Sequence, residues 1–388
     1  MKIASEIKNN SITILHVFTD DKFFDGTSRF FQALPNVNNL FCYYSPKQKP
    51  FNYIKNKERI TYYTNWDEYT SLFKNPDINI IYFHSIPINY YKLFNYIDPH
   101  KIVIWWCWGY DIYNSYGLLK PFIELDLYKP QTKHIISKGK ISKIIFHYIK
   151  SLALIKYKKI ILNRVDYFSP VIPIEYELMK NNPQFKAKPF MLESGPGLGY
   201  TNKNELTCKN KAQNILIGNS LTLTNNHLDI LEDIKNIKLP NDRTYIVPIN
   251  YGNGFDKNIL KRKAQKIPAQ FKWLESFVPK LEYQELFNSI THAIFGHIRQ
   301  QGMGNINICF KNGIKVYLYK DSIIYKQLKM RGYKIFSIED ELNIESLSEV
   351  LPEKDALHNY ELFYKISNNK IEKTISELET MIHDKNKI

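Results

Sequence analysis

The chain has 388 residues, 44% of them hydrophobic and 14% aromatic, enough apolar material for two cores and too much for a disordered class. A formal charge of +15 favours an anionic partner, and no apolar run reaches the roughly 18 residues of a membrane-spanning helix, so an integral membrane protein is not expected. Cys42, Cys107, Cys208 and Cys309 are scattered without a Cys-x-x-Cys pair, which argues against a disulfide framework or a zinc site.

No signal peptide is read ahead of Ile12, and Ile12 to Phe18 has the continuous apolar character of a buried first strand in a parallel sheet. Asp25-Gly26-Thr27-Ser28 then reads as a turn and N-cap before a helix carrying Phe30, Phe31 and Leu34. Asn79 to Phe83 and Lys101 to Trp106 read as further buried strands, the first leading to His84 and the second to Trp108-Gly109-x-Asp111. In a doubly wound sheet those carboxyl ends share the edge where ligands collect. Asp166 to Ser169 is expected to be the last strand of this half.

Between Asp126 and Asp166 there is no acidic residue, while lysines from Lys129 to Lys159 alternate with Ile135, Ile141, Ile144, Ile149 and Ile155. This flank, 129–164, reads as one or two basic amphipathic helices suited to an anionic membrane surface. A surface helix with solvated lysines is the ordinary alternative. No nucleic-acid-binding motif accompanies the charge, so nucleic acid is not an expected partner.

The segment 192–212, with Gly195-Pro196-Gly197-Leu198-Gly199 at its start, reads as a linker between a first domain over 1–191 and a second over 213–345. Asn214 to Ile217 restarts the strand pattern, Thr222 to Asn225 caps a helix from His227 to Ile234, and Thr244 to Val247 is the next strand. Phe271 to Ser276 reads as an edge strand, Tyr283 to Ser289 as a helix, and 314–319 and 334–336 continue the alternation. Ala293 to Ile298 reads as the strand that feeds Arg299-Gln300-Gln301-Gly302-Met303-Gly304, a polar, glycine-containing turn opening a helix. Such a turn offers free backbone N–H groups and a positive dipole end to a phosphate. The tail 346–388 reads as helices.

Four segments carry a family resemblance: Trp108-Gly109-Tyr110-Asp111-Ile112-Tyr113, Ile215 to Ser220 followed by Asn225-Asn226-His227, Ile246 to Gly252, and Leu281 to Leu286 ahead of the Gln300-Gln301-Gly302 turn. In order and spacing the chain resembles the bacterial TDP-N-acetylfucosamine:lipid II N-acetylfucosaminyltransferases. That resemblance implies a GT-B fold, two Rossmann-like α/β domains facing across a cleft. It further implies a nucleotide-sugar donor, a lipid-linked oligosaccharide acceptor and a peripheral position on the cytoplasmic face of the bacterial inner membrane. The pattern departs from the family at Tyr283 and Leu286, where Phe and Tyr stand in Leu-Glu-Phe-x-x-Tyr, and at Asn305, where Gln-Gln-Gly-x-Gly-Thr has Thr. Another nucleotide sugar acting on a capsule, O-antigen or protein glycan is the alternative, as is a sugar-nucleotide-binding protein without catalysis.

The chain contains no Asp-x-Asp motif, so no metal and no cofactor are expected, and basic side chains with helix N-termini must hold the departing diphosphate. Arg299 is the first candidate, since guanidinium can donate two parallel hydrogen bonds to phosphate while Gly302 and Gly304 admit close backbone approach. Gly218, Asn219, Ser220, Asn226, His227, Gln300 and Gln301 are expected around the same ligand, Tyr251 along a base pocket and Glu282 on a ribose. For the acceptor side, Asp111 is the first candidate base, Asp20 and Asp25 are its competitors, and His84, Trp106 and Trp108 are expected to bind the sugar.

Overall fold

The computed structural model describes residues 12–21, 23–113, 125–137, 149–150, 152–192, 213–239, 243–252, 255–368 and 370–385. The chain divides into two compact units, one of residues 1–124, 144–200 and 366–388 and the other of 125–143 and 201–365. The linker expected over 192–212 lies outside the described residues except for Leu192, as does 138–148 of the basic flank.

In the first unit seven parallel strands run β1 (Ile12–Phe18), β2 (Val37–Tyr44), β3 (Thr61–Tyr63), β4 (Ile80–His84), β5 (Ile102–Trp106), β6 (Tyr167–Ser169) and β7 (Lys188–Pro189), in sheet order 3-2-1-4-5-6-7. β4 and β5 are buried along their whole length, as expected where helices cover both faces and the strand can be apolar throughout. β6 is not the last strand, because Tyr167 and Phe168 pair onward with Lys188 and Pro189. That two-residue edge carries no apolar run for a sequence pattern to show.

The second unit has six parallel strands, β8 (Asn214–Ile217), β9 (Thr244–Pro248), β10 (Gln270–Leu274), β11 (Ile290–Phe295), β12 (Lys315–Leu318) and β13 (Phe336–Ser337), in order 10-9-8-11-12-13. Each sheet has a point where the order reverses, between β1 and β4 in one and between β8 and β11 in the other. The carboxyl ends flanking such a switch point diverge and leave room for a ligand.

Two local expectations are corrected. The helix after β1 runs Phe24–Gln32 with Phe23 at its cap position and no side-chain cap bond, so Asp25 to Ser28 form its first turns rather than a turn before it. The basic flank is not one body. The helix Pro130–Ser137 belongs with the second unit, where Leu125 and Ile135 pack on its core, and the helix Ile155–Arg164 belongs with the first.

Of the two tail helices, Glu353–Asn368 and Lys370–Lys385, the second buries Leu378 and Met381 in the core of the first unit beside Phe190 and Trp106. Among the described residues no helix is long and apolar enough to cross a membrane.

Candidate functional site

At the switch point of the second sheet, β8 ends in Gly218-Asn219-Ser220 and β11 in Gly296 to Arg299. Gly218 has φ +65, and a Cβ there would stand 2.5 Å from His227 Nε2 and 2.9 Å from Asn225 Oδ1. The glycine is therefore required for the helix His227–Asp233 to start where it does. Gly296 is tighter still, with a Cβ 2.2 Å from the Asn225 carbonyl oxygen.

An uncharged network ties these loops together. Asn225 Oδ1 accepts from the Asn219 backbone N–H at 3.0 Å and from His297 Nε2–H at 2.8 Å, while its amide donates to Ser220 Oγ. Gln301 donates to Asn219 Oδ1 and Thr222 Oγ1, each at 3.1 Å, and accepts from Thr224 Oγ1 at 2.6 Å. Asn219 in turn donates to the Tyr251 hydroxyl at 2.9 Å. His227 and His297 are buried, and desolvation holds them neutral, with pKa values lowered to about 4 and about 3. Asn225, His297, Thr222 and Thr224 are members of this network to which sequence reasoning gave no site role, although Thr222 to Asn225 were read as a helix cap and Asn225 stands in the Asn225-Asn226-His227 motif.

Beyond the network the chain opens a helix, Met303–Lys311, with Gly302 at its cap position in the left-handed region at φ +67. A Cβ on Gly302 would meet His297, whereas one on Gly304 would meet nothing within 4 Å. The Asn305 and Ile306 N–H groups are taken by the Gly302 carbonyl, and the open face at Gly304 leaves the helix N-terminus ahead of them available to an anion. Arg299 is half-buried beside this turn, with one guanidinium nitrogen donating to the Gln300 carbonyl at 2.9 Å.

Not every expected residue has a side chain there to give. Asn226, at φ 50, donates to the Leu127 and Gly296 carbonyls and accepts from the Lys129 N–H, so its amide fastens the 125–137 segment to this unit. Asp229, one turn on, accepts from Gln131 N, Thr132 N and Thr132 Oγ1 and does the same. Glu282 is exposed on the helix Lys280–Leu286, and Gln300 is buried.

The first sheet presents a different edge. Phe18, His84 and Trp106 stand side by side in register at the ends of β1, β4 and β5. His84 stacks on Phe18 at 3.9 Å and meets Trp106 and Trp108 edge-on. Asn39 donates through its amide to the Phe31 and Val37 carbonyls, so its oxygen accepts from His16 Nε2–H, and His16 Nδ1 accepts from His84 Nε2–H at 3.0 Å. This relay leaves His84 Nδ1 as an acceptor. That atom and the indole N–H groups of Trp106 and Trp108 have no partner among the described residues.

Asp111 is nearly inaccessible, at 3% exposure. Its carboxylate accepts from Trp105 Nε1 at 2.7 Å, Ile86 N at 3.2 Å and Trp108 N at 3.0 Å. Desolvation, opposed by those donors, leaves its pKa raised to about 6. It holds Trp105, Trp108 and the turn after β4 together, and it is beside Trp105 rather than Trp106. Asp25 accepts from Lys55 N and Asn56 N, which anchors the loop 55–56. Asp20 is half-buried at the end of β1 and is one of the charges that push the Tyr110 hydroxyl up to about 12, after desolvation and Asp111. Tyr110 closes a hydroxyl cluster with Thr19 and Ser85. A second buried carboxylate, Glu175, accepts from Tyr113 Oη and two backbone N–H groups, and burial raises it to about 7.

Residues 198–364 match the model of a family described as 4-alpha-L-fucosyltransferase, glycosyl transferase group 56. No curated protein matches the chain by sequence. The fold is similar to GT-B structures. A glycosyltransferase from Rickettsia africae is 12% identical with a TM-score of 0.60, over 97% of this chain and 99% of that one. The lipopolysaccharide outer core galactosyltransferase WaaB is 11% identical with a TM-score of 0.58, over 93% and 99%. Anabaena Alr3699/HepE, solved with UDP and glucose, is 8% identical with a TM-score of 0.56, over 95% and 99%.

Proposed function

We propose, from the premise that the chain is a glycosyltransferase of GT-B fold with a 4-alpha-L-fucosyltransferase-like second half, that it moves a fucose-like or N-acetylated amino-deoxy sugar from a nucleoside diphosphate to a lipid-linked saccharide. The observation that carries this reading is the β11 turn. Arg299, the open face of Gly304 and the N-terminus of the nine-residue helix Met303–Lys311 meet at the switch point of the second sheet. There the guanidinium and backbone N–H groups hold the diphosphate as it leaves with the electron pair of its bond to the anomeric carbon.

An acceptor hydroxyl oxygen forms the new bond to that carbon and gives up its proton to a base. The base is Asp111, Asp20 or Asp25, each on a segment that follows a strand of the first sheet. The acceptor's sugar is received at His84, Trp106 and Trp108, where His84 Nδ1 and the two indole N–H groups have no partner among the described residues. A metal-free mechanism is supported by the basic and dipolar character of the donor turn and the missing Asp-x-Asp motif. Lipid linkage of the acceptor is supported by exposed Ile149, Leu152 and Ile160 set among exposed Lys150, Lys156 and Lys159, a surface of the kind that docks on an anionic bilayer at the cytoplasmic face.

The test is protection against thermal unfolding by TDP, UDP, GDP and ADP with EDTA present. Saturation at about 100 times the dissociation constant stabilises by about 2.7 kcal/mol. At least one nucleotide should protect the wild type and fail to protect Arg299→Ala. Protection by none of them would sink the transferase reading.

A further inference from the structure

The donor turn has a second wall that the diphosphate chemistry does not use. Tyr283, on the helix Lys280–Leu286, and Asn305, in the first turn of the helix Met303–Lys311, are hydrogen-bonded to each other at 2.9 Å, and both are half-buried. These are two of the three positions where the chain leaves the pattern it otherwise resembles. The tertiary structure brings the two departures into contact.

We propose that Tyr283 and Asn305 act as one specificity-determining unit that recognises a sugar hydroxyl of the nucleotide donor. This rests on the donor reading given above. The argument is a count of hydrogen-bonding capacity. If the Asn305 amide donates to the Tyr283 oxygen, the tyrosine proton, the second amide N–H and the Asn305 carbonyl oxygen remain. If the amide is turned, the tyrosine proton goes to the Asn305 oxygen, and both amide N–H groups and a tyrosine lone pair remain. Either way the pair presents at least one donor beside an acceptor, and no further partner for either side chain occurs among the described residues.

A hydroxyl satisfies both at a single oxygen, because it donates and accepts. An apolar or deoxygenated ligand would leave the pair facing an unpaired group. The position fits a ligand already held by the turn. Asn305 follows Gly304, whose Cα faces open space, so the pair stands beside the first turn of the helix Met303–Lys311. A family-type threonine with phenylalanine would offer one short hydroxyl in place of this pair.

The hydroxyl can belong to the ribose or to the transferred sugar, and one experiment separates them. Dissociation constants are measured for UDP, TDP, 2′,3′-dideoxy-TDP, UDP-glucose and TDP-glucose on the full chain. The proteins are the wild type, Tyr283→Phe, Asn305→Leu and the double variant, each checked for an unchanged melting temperature. We expect about a tenfold loss on breaking the pair, with the double variant no worse than the weaker single because the two side chains act together.

If a ribose hydroxyl is the ligand group, UDP or TDP and its glucose conjugate weaken equally and 2′,3′-dideoxy-TDP does not change. If the transferred sugar supplies it, only the glucose conjugates weaken. Unchanged affinities across all five ligands, with binding still lost in Arg299→Ala, would overturn the pair and leave the donor site standing. A wild type that binds none of them would overturn both.

Discussion

The two sheet edges solve the same problem with opposite materials. At the second sheet, loops are joined by neutral amides and hydroxyls around glycines, and the helix after β11 keeps an open N-terminal face at Gly304. At the first sheet the loops are joined through rings and buried carboxylates, with Asp111 and Glu175 engaged by indole, phenol and backbone donors. A neutral network can lie beside an arriving diphosphate without repelling it, and it holds two histidines uncharged by burial. A carboxylate-knit edge suits a neutral sugar. The contrast teaches that charge was kept away from the donor turn except where Arg299 supplies the favourable sign.

The largest effect should come from Arg299→Ala. A transition-state donor lost at a developing anion costs about 10²- to 10³-fold in rate, some 2.7–4 kcal/mol, while the melting temperature should change little because the side chain is half-buried. Steady-state transfer rates and calorimetry on the same protein check this. A stability loss as large as the rate loss would mean the arginine is a structural tie.

Next is Asp111→Leu, which leaves three buried donors unpaired at about 1–3 kcal/mol each, so unfolding free energy should drop by roughly 3 kcal/mol or more. Asp20→Asn tests the second candidate base, for which a loss of rate in a protein of unchanged stability is the signature. If Asp111→Asn abolishes transfer in a fully stable protein, Asp111 is the base.

The pH response should separate the units. His227, His292 and His297 in the second unit have pKa values lowered by burial, so their unfolded forms bind protons first. The stability they contribute is complete above about pH 6.5 and is lost as pH falls toward about 4. In the first unit His16 and His84 act in that direction, but Asp111 and Glu175 are raised to about 6 and about 7, so acidification through that range relieves them. Between pH 7 and 5 the second unit should therefore lose more stability. Hydrogen exchange resolved by segment and corrected for intrinsic rates tests this, and equal losses would break the contrast.

The smallest effect on stability is expected from Gly304→Ala. With nothing within 4 Å of the new methyl group, the helix should be unchanged or stabilised by up to about 1 kcal/mol. Donor affinity should fall all the same, since the methyl group occupies the approach to the N–H groups. Titration calorimetry with the protecting nucleotide reads this directly.

Apolar runs made the central strands legible, since Ile12 to Phe18, Asn214 to Ile217 and the strand before Arg299 needed only the pattern of a strand buried on both faces. Glycines at fixed places announced the donor turn, because the left-handed φ at Gly218 and Gly302 is a local demand that sequence records. The short edges β3 and β7 carried no such run. The sequence likewise determined the composition of the candidate sites while leaving their division of labour open. Whether an aspartate meets solvent or three buried donors, as at Asp111, depends on what Trp105, Ile86 and Trp108 bring to it.

Only the tertiary structure decided that Asn226 and Asp229 hold the 125–137 segment, that Gln301 ties the turn after β11 to the loop after β8, and that Tyr283 meets Asn305 across 22 residues of chain. The physical reason is range. Backbone conformation and burial periodicity are written in neighbours a few residues apart, whereas the partner that fixes a polar side chain's role arrives from another element once the sheet has formed.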